Sequence, residues 1–494
     1  MFSVRGVAVV LLVALAGAAC SDSGSEPESA TTSSTVAAPA ADVEVTGPVG
    51  GGRRGVPYNP MPEGLAEEYG YTEEEFFVAG TATSYAASGS LGGDGRWDLE
   101  PAGEADYHTR ILVRRPVNRD DFSGNILVEW LNVSAGRDSD PDFGFLHRYL
   151  LAEGWAYVGV SAQSVGVEGG GALVQVPGVA PEAVAALKDW DPERYGGLAH
   201  PGDDYSYDIF SDAGRLLRAP GDVDPLDGMR PQHLIAAGES QSGGYLAGYV
   251  NGVHPVASVY DGFLIHSRVG GGTPFAGGTP ASPLTIRTDL DEPVLQFVTE
   301  TDLTLLGHLA ARQDDSETVM TWEVAGTAHA DQTTLDYGLA SGARWSSPGA
   351  FDPNATCGPV NRGPQAPVLR AALHALAAWV ADGRRPPEAP LLEVADGEIV
   401  RAEHGNALGG IRTPSVDVPV ATLTGAGNPV SIFCAIFGRT TPLPDDVLRS
   451  LYPTREAYVA AVRAAAERAV ELGFLLDADA AVIIDEARAA DLPS

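Results

Sequence analysis

The sequence predicts an α/β fold, a mostly parallel sheet covered by helices on both faces. Three observations predict it. Short β-rich apolar runs recur between amphipathic helical stretches across residues 124–383. One of these runs, residues 233–238, passes directly into a Gly-Glu-Ser-Gln-Ser turn and then into a small-residue helix. An acidic candidate and a histidine candidate follow, in that order, at the ends of later strands. Strands that alternate with helices must be joined by crossovers, and crossovers give parallel pairing with both sheet faces covered.

The chain opens with an arginine at position 5 and an apolar stretch from Val7 to Ala19, followed by Cys20. A membrane-spanning helix needs about 20 apolar residues, so this shorter stretch reads as a signal peptide over residues 1–20. Gly17-Ala18-Ala19-Cys20 resembles a lipoprotein signal, in which Cys20 is lipidated after cleavage. Gly17 departs from it, because such signals usually carry leucine there. Cleavage near Ala18 without lipidation is the alternative. The expectation is an exported chain, anchored to the outer face of a bacterial cell membrane by lipid or else secreted. Residues 21–55 are rich in Ser, Thr, Ala, Pro and Gly and predict a flexible tether.

Residues 56–383 carry the predicted core. FFVAGTATSYAA and HTRILVRRPV read as early strands, and GNILVEWLNV (124–133) as a strong one. A helix is predicted over 143–155 with Gly154 as its stop, then a strand over 156–164 and a helix over 206–219. Strand 233–238, helix 242–253 and strand 256–267 follow. Strands over 293–302 and 319–326 and a helix over 368–383 complete the pattern. Residues 165–205 and 268–292 interrupt it with Gly, Pro and Asp. Long irregular segments in a compact domain are usually functional, so both are expected as lid inserts. Residues 384–494 form a C-terminal extension expected to pack on the core, with a helix over 455–473.

Composition excludes some partners. Lys and Arg number 31 against 66 Asp and Glu, a formal charge of −35. Such a surface repels phosphate, which argues against nucleic acid, and it repels anionic lipid headgroups as well. Membrane association is therefore expected only through the N-terminal anchor. The three cysteines are Cys20, Cys357 and Cys434. With Cys20 lipidated in an exported protein, Cys357 and Cys434 are expected to form a disulfide; two buried thiols are the alternative.

The chemistry is concentrated in HLIAAGESQSGGYLAGYV. Gly238-Glu239-Ser240-Gln241-Ser242 fits a nucleophile elbow, where a strand turns sharply into a helix and small residues flank the serine at two positions' distance. Ser242 stands where glycine is usual. Ser240-Gln241-Ser242-Gly243-Gly244 also fits and would make Ser242 the nucleophile, but the apolar run ends directly before Gly238 and favours Ser240. The plain alternative is two serines capping a helix. A serine hydroxyl needs a base, and elbow folds supply partners in the order serine, acid, histidine. Asp302 ends the run PVLQFVTETD, and His329 follows the last predicted strand in GTAHAD. Glu300 is the alternative acid, and His266 and His308 are secondary histidine candidates. The oxyanion of an acyl-transfer reaction needs two backbone N–H groups; Gln241 is one candidate, and Val133 or Ser134 the other. There is no HExxH, paired CxxC or phosphate-loop pattern, so no metal or other cofactor is expected.

The stretches NILVEWLNVSAG, HPGDDYSYDIF, GESQSGGYL, VLQFVTETD, AGTAHAD, GNALGGIRTPSVDVP and LYPTREAY resemble a family of bacterial exported alpha/beta hydrolase domain-containing proteins with a long C-terminal extension. The likeness spans roughly residues 60–490. The Gly-Glu-Ser motif is also similar to that of carboxylesterases. The resemblance implies the alpha/beta-hydrolase fold and a Ser240–Asp302–His329 triad. The expected function is cleavage of small-molecule carboxylic esters through an acyl-enzyme. Amide or peptide hydrolysis by the same residues, and a non-catalytic lipid-anchored binding protein, are the alternatives. The sequence leaves the oligomeric state open.

Overall fold

The computed structural model describes residues 42–175, 184–276, 278–345, 352–427 and 429–492. The expected signal peptide, Cys20 and the tether up to residue 41 lie outside the described residues. Nine strands form one sheet. In chain order they are β1 Val43–Thr46, β2 Tyr71–Ala87, β3 Leu99–Pro116, β4 Asn125–Trp130, β5 Ala156–Val160, β6 His233–Glu239, β7 Gly262–His266, β8 Val294–Thr299 and β9 Val319–Val324. Their spatial order is β1-β2-β3-β5-β4-β6-β7-β8-β9. The six strands from β5 to β9 pair in parallel, and β1, β2 and β3 add an antiparallel edge.

Side-chain alternation explains why this sheet is buried on both sides. In β4, Ile126, Val128 and Trp130 enter one apolar cluster and Leu127 the other. In β6, Leu234 and Ala236 face the first cluster, Ile235 and Ala237 the second. The helices Ser206–Arg218 and Gln241–Gly248 cover the first face, and Pro141–Ala152 and Gln365–Asp382 cover the second. Each fully buried Leu, Ile, Val or Phe side chain contributes about 1.5–3 kcal/mol. These two layers are therefore what fixes the strand ends in place.

Several expected boundaries move. Val43–Thr46, assigned above to a tether, pairs with Phe77–Gly80 of β2. Its Val-Glu-Val alternation is a strand signal that the surrounding Ala, Pro and Thr obscured. Residues 49–54 are also held down: Arg194 donates to the carbonyls of Val49 and Gly51, and the Arg54 N–H donates to Asp191. The segment expected as a strand over 256–267 begins as the short helix His254–Ala257, and only Gly262–His266 is extended. β8 stops at Thr299, where a threonine capping box starts the helix Glu300–Thr304. Asp302 therefore stands in the first turn of a helix rather than at the end of a strand. The insert 165–205 contains the short helices Leu187–Trp190 and Pro192–Tyr195.

The C-terminal extension is integrated with the core. Phe474 packs edge-on against Trp322 of β9, and Ala469, Phe474 and Leu475 join the second apolar cluster. Ile411 bridges in parallel to Val324. Cys357 and Cys434 form a disulfide, which links the helix Ile432–Ile436 of the extension to the segment that precedes the helix Gln365–Asp382. Among the described residues no helix is long and apolar enough to cross a membrane.

Candidate active site

β4 has β5 on one side and β6 on the other, so the chain changes winding direction at β4. The crevice outside the carboxyl ends of strands at such a switch point is where open α/β sheets bind ligands. The loop after β4 and the turn after β6 both open into it. Asn132 links them: its Nδ2 donates to the Glu239 carbonyl at 3.0 Å.

Ser240 occupies the turn between β6 and the helix Gln241–Gly248, with φ 60° and ψ −115°. A non-glycine residue in this region is strained, and the cost persists only where the surroundings enforce it. Here the Ser240 N–H donates to the His266 carbonyl of β7 at 2.9 Å, which fixes the turn from the neighbouring strand. Gly238 is required, because a Cβ there would sit 2.8 Å from the Ser242 carbonyl oxygen. On the other side the tight contact falls at Gly243, whose Cβ would lie 2.8 Å from the His266 carbonyl oxygen. This accounts for the serine at position 242. Ser242 is buried and its hydroxyl donates to the Glu239 carbonyl at 3.1 Å, so it faces away from the other candidate side chains.

Three separate segments bring Ser240, His329 and Asp302 into one series. His329 Nε2 lies 2.8 Å from Ser240 Oγ, and His329 Nδ1 lies 2.8 Å from Asp302 Oδ1. Asp302 is fully buried, and its second oxygen accepts the Thr299 N–H at 2.7 Å. Burial opposes its charge, but the hydrogen bond and charge of His329 and the Thr299 donors hold its pKa below the usual aspartate value. In the neutral imidazole, an ionised Asp302 fixes the proton on Nδ1 and turns the Nε2 lone pair toward the Ser240 hydroxyl.

The structure adds a second carboxylate that sequence reasoning missed. Glu239 Oε1 stands 3.3 Å from His329 Nε2, and Asn132 Nδ2 reaches Glu239 Oε2 at 3.3 Å. Burial would depress the His329 pKa, but Glu239 and Asp302 outweigh it and raise it to about 9. Glu239 is pushed up to about 7, chiefly by burial, against the pull of His329 and His266. The signal available in the sequence was a charged residue closing an otherwise apolar strand, where burial is costly without a partner.

The remaining candidates separate cleanly. Glu300 does not meet His329: its oxygens accept from the N–H of Gly326 at 2.7 Å, Gly425 at 3.1 Å and Arg401 at 2.9 Å. Thr301, also unforeseen, accepts the His329 N–H at 3.1 Å and donates to the Gly425 carbonyl at 2.7 Å. The C-terminal extension thus braces both the acid loop and the histidine loop. His266 pairs with Asp142 at 2.8 Å and meets Gln365 at 3.0 Å, beneath the turn. His308 is buried without a side-chain partner, and burial with the nearby Arg268 drives its pKa down to about 3. Of the oxyanion candidates, the Ser134 N–H is taken up by Asn132 Oδ1 at 2.8 Å. The N–H groups of Val133 and Gln241 meet no acceptor among the described residues. No group of histidine, cysteine and carboxylate side chains suited to a metal ion occurs among the described residues.

A family model described as alpha/beta hydrolase domain matches residues 45–485. No curated protein matches the chain. Among solved structures, the esterase Est22 aligns at 14% identity and a TM-score of 0.31, covering 57% of this chain and 78% of that one. A structure from a study of two fungal esterases of Rhizomucor miehei aligns at 12% identity and a TM-score of 0.27, covering 57% and 82%. The carboxylesterase Cest-2923 from Lactobacillus plantarum WCFS1 aligns at 12% identity and a TM-score of 0.23, covering 45% and 72%.

Proposed function

The chain belongs to the alpha/beta hydrolase domain family, and from that premise we propose that it is a serine hydrolase that cleaves carboxylic esters through an acyl-enzyme. The observation that carries this reading is the unbroken series from Ser240 Oγ through both nitrogens of His329 to Asp302, each step 2.8 Å. Ser240 attacks the ester carbonyl while His329 Nε2 takes its proton. The carbonyl oxygen, now negative, is held by the N–H groups of Gln241 and Val133. His329 then gives its proton to the leaving alcohol. Water then attacks the acyl carbon while His329 takes its proton, and His329 returns that proton to Ser240 Oγ as the bond between the acyl carbon and Oγ breaks and the acid product leaves. Asp302 keeps the imidazole in the required tautomer and stabilises its charged form.

Labelling with a fluorophosphonate probe and turnover of short p-nitrophenyl esters test the proposal. The wild type is expected to be labelled and to turn over, and the Ser240→Ala variant to do neither. An unlabelled wild type, or a variant as active as the wild type, overturns the reading.

We also propose export, with Cys20 as the lipid-bearing residue. The Cys357–Cys434 disulfide supports it, because such bridges persist in oxidising compartments. Incorporation of a labelled fatty acid that is lost in Cys20→Ala is the expected result.

A further inference from the structure

His266 takes no part in the series of Ser240, His329 and Asp302, yet it is bonded to the segments that carry two of them. It is the last residue of β7 and is fully buried. Its carbonyl accepts the Ser240 N–H at 2.9 Å. Its ring has a polar partner at each nitrogen. Nδ1 meets Asp142 Oδ1 at 2.8 Å, and Nε2 meets the Gln365 amide nitrogen at 3.0 Å. An amide N–H only donates, so Nε2 is the acceptor and the ring proton sits on Nδ1, facing Asp142. The same Gln365 nitrogen reaches the His329 carbonyl at 3.5 Å. The His329 backbone is thus met at its N–H by Thr301 and at its carbonyl by Gln365.

Each partner of the ring is anchored in its own right. Asp142 and Gln365 are fully buried, in the first turns of the helices Pro141–Ala152 and Gln365–Asp382. The N–H groups of Asp142 and Phe143 donate to Glu129 of β4, both at 3.0 Å. Phe145 and Phe297 stand edge-on to the His266 ring, with centroids at 5.4 and 5.2 Å. Polar groups in such an apolar layer cost stability, and an apolar side chain of the same volume would fill the space as well. An apolar side chain could not tether three segments by directed bonds. That tether is needed here. The peptide group that accepts the Ser240 N–H joins His266 to Ser267, and Ser267 has φ 52° beside the 60° of Ser240. One peptide group therefore links two strained serines, and such strain persists only where neighbouring groups enforce it.

We propose that His266 is a positioning residue for the reaction. Gripped by Asp142 and Gln365, it holds the Ser240 turn in register with the His329 loop, so that Ser240 Oγ and His329 Nε2 stay within reach of each other. This rests on the serine-hydrolase reading above. The pairing of Asp142 with His266 has the form of the pairing of Asp302 with His329, an aspartate on Nδ1. Gln365 occupies the other nitrogen, so the His266 ring acts on the reaction only through the backbone it fixes.

Three variants test it, each read by turnover of p-nitrophenyl butyrate, the rate of fluorophosphonate labelling and Tm. His266→Phe keeps a ring between Phe145 and Phe297 but loses both polar contacts. Gln365→Met keeps the volume and leaves the bond between Asp142 and His266 in place. His266→Asn offers an amide N–H to Asp142 where the ring offered Nδ1–H. His266→Phe is expected to lower kcat and the labelling rate together by about 10²-fold, the scale of a misplacement of about 1 Å, with KM within about twofold of the wild type. Gln365→Met is expected to lower both about tenfold, and His266→Asn to recover most of what His266→Phe loses. Folded variants with a lower Tm and wild-type kcat overturn the proposal and make the three residues structural. So does a rise in KM with kcat unchanged, or a His266→Asn no better than His266→Phe. If His266→Phe does not fold, Gln365→Met decides by the same criteria. A wild type that takes no label and turns over no ester overturns the serine-hydrolase reading, and the proposal with it.

Discussion

The carboxylate of Glu239 lies 3.3 Å from His329 Nε2, the same nitrogen that meets Ser240 Oγ at 2.8 Å. One nitrogen thus serves two oxygens, and its proton is contested. A negative Glu239 favours the imidazolium; on the proposed hydrolase reading this suits the charge that develops on His329 during attack but opposes the neutral base needed at rest.

This gives a pH prediction. His329 must be neutral to take the serine proton, and its pKa stands near 9. The activity limb on the acid side therefore rises with pH toward 9. Glu239→Gln removes the charge that raises this pKa, so the limb moves to lower pH, and kcat at high pH falls because the imidazolium is less stabilised. Profiles of kcat/KM against pH for both forms check it; superimposable limbs refute it.

Ser240→Ala is expected to lower kcat by about 10⁶-fold, the scale found when a triad nucleophile is removed. Ser242→Ala should keep fluorophosphonate labelling and lose only about 1 kcal/mol of stability, from the hydrogen bond to the Glu239 carbonyl. Labelling of the first variant but not the second would exchange their roles.

The two acids should differ in kind. Asp302→Asn leaves the size of the side chain but stabilises the wrong tautomer, and a loss of about 10⁴-fold in kcat is expected, the scale of the same change in a serine–histidine–aspartate triad. Glu300→Gln weakens the bonds to Arg401, Gly425 and Gly326. Its main effect should be a loss of stability on the order of 1–3 kcal/mol, read as a lower Tm. Calorimetry beside steady-state kinetics separates them.

Thr301→Val removes a hydroxyl that bridges the Gly425 carbonyl and the His329 N–H. Leaving these buried groups unpaired costs about 1–3 kcal/mol each. Because His329 loses its backbone anchor, kcat should fall about tenfold with KM little changed, and Thr301→Ser should restore it. A fall in Tm with kcat intact would make Thr301 a purely structural residue.

The double variant Cys357→Ser with Cys434→Ser should lose about 2–5 kcal/mol, the usual contribution of a native bridge in a long loop. The two cysteines are separated by 77 residues. Mild reduction of the wild type should lower Tm to the same value, and a Tm indifferent to reductant would count against it.

Much of this was legible in the sequence because it depends on local pattern. The apolar runs at β4, β6 and β9 identify themselves by composition, and the turn at Gly238–Ser242 by the size of its residues. Chain order then selects Asp302 and His329 from many acids and histidines. What stayed hidden depends on long-range contact. Nothing near Thr301 announces Gly425, and nothing near Glu300 announces Arg401. Val43–Thr46 is a strand only because β2 offers its edge. Ser134 and Val133 are neighbours in sequence, and only the turn made by Asn132 decides which N–H remains available.

The dependence of the acid and histidine loops on residues 401–425 has a consequence for timing. A ribosome delivers Ser240, Asp302 and His329 before it delivers Arg401 and Gly425. A growing chain therefore possesses the three proposed catalytic residues well before it possesses the segment that braces their loops. On the proposed hydrolase reading, a product truncated ahead of residue 401 is expected to be inactive, because it lacks the Arg401 and Gly425 contacts that hold Glu300 and Thr301.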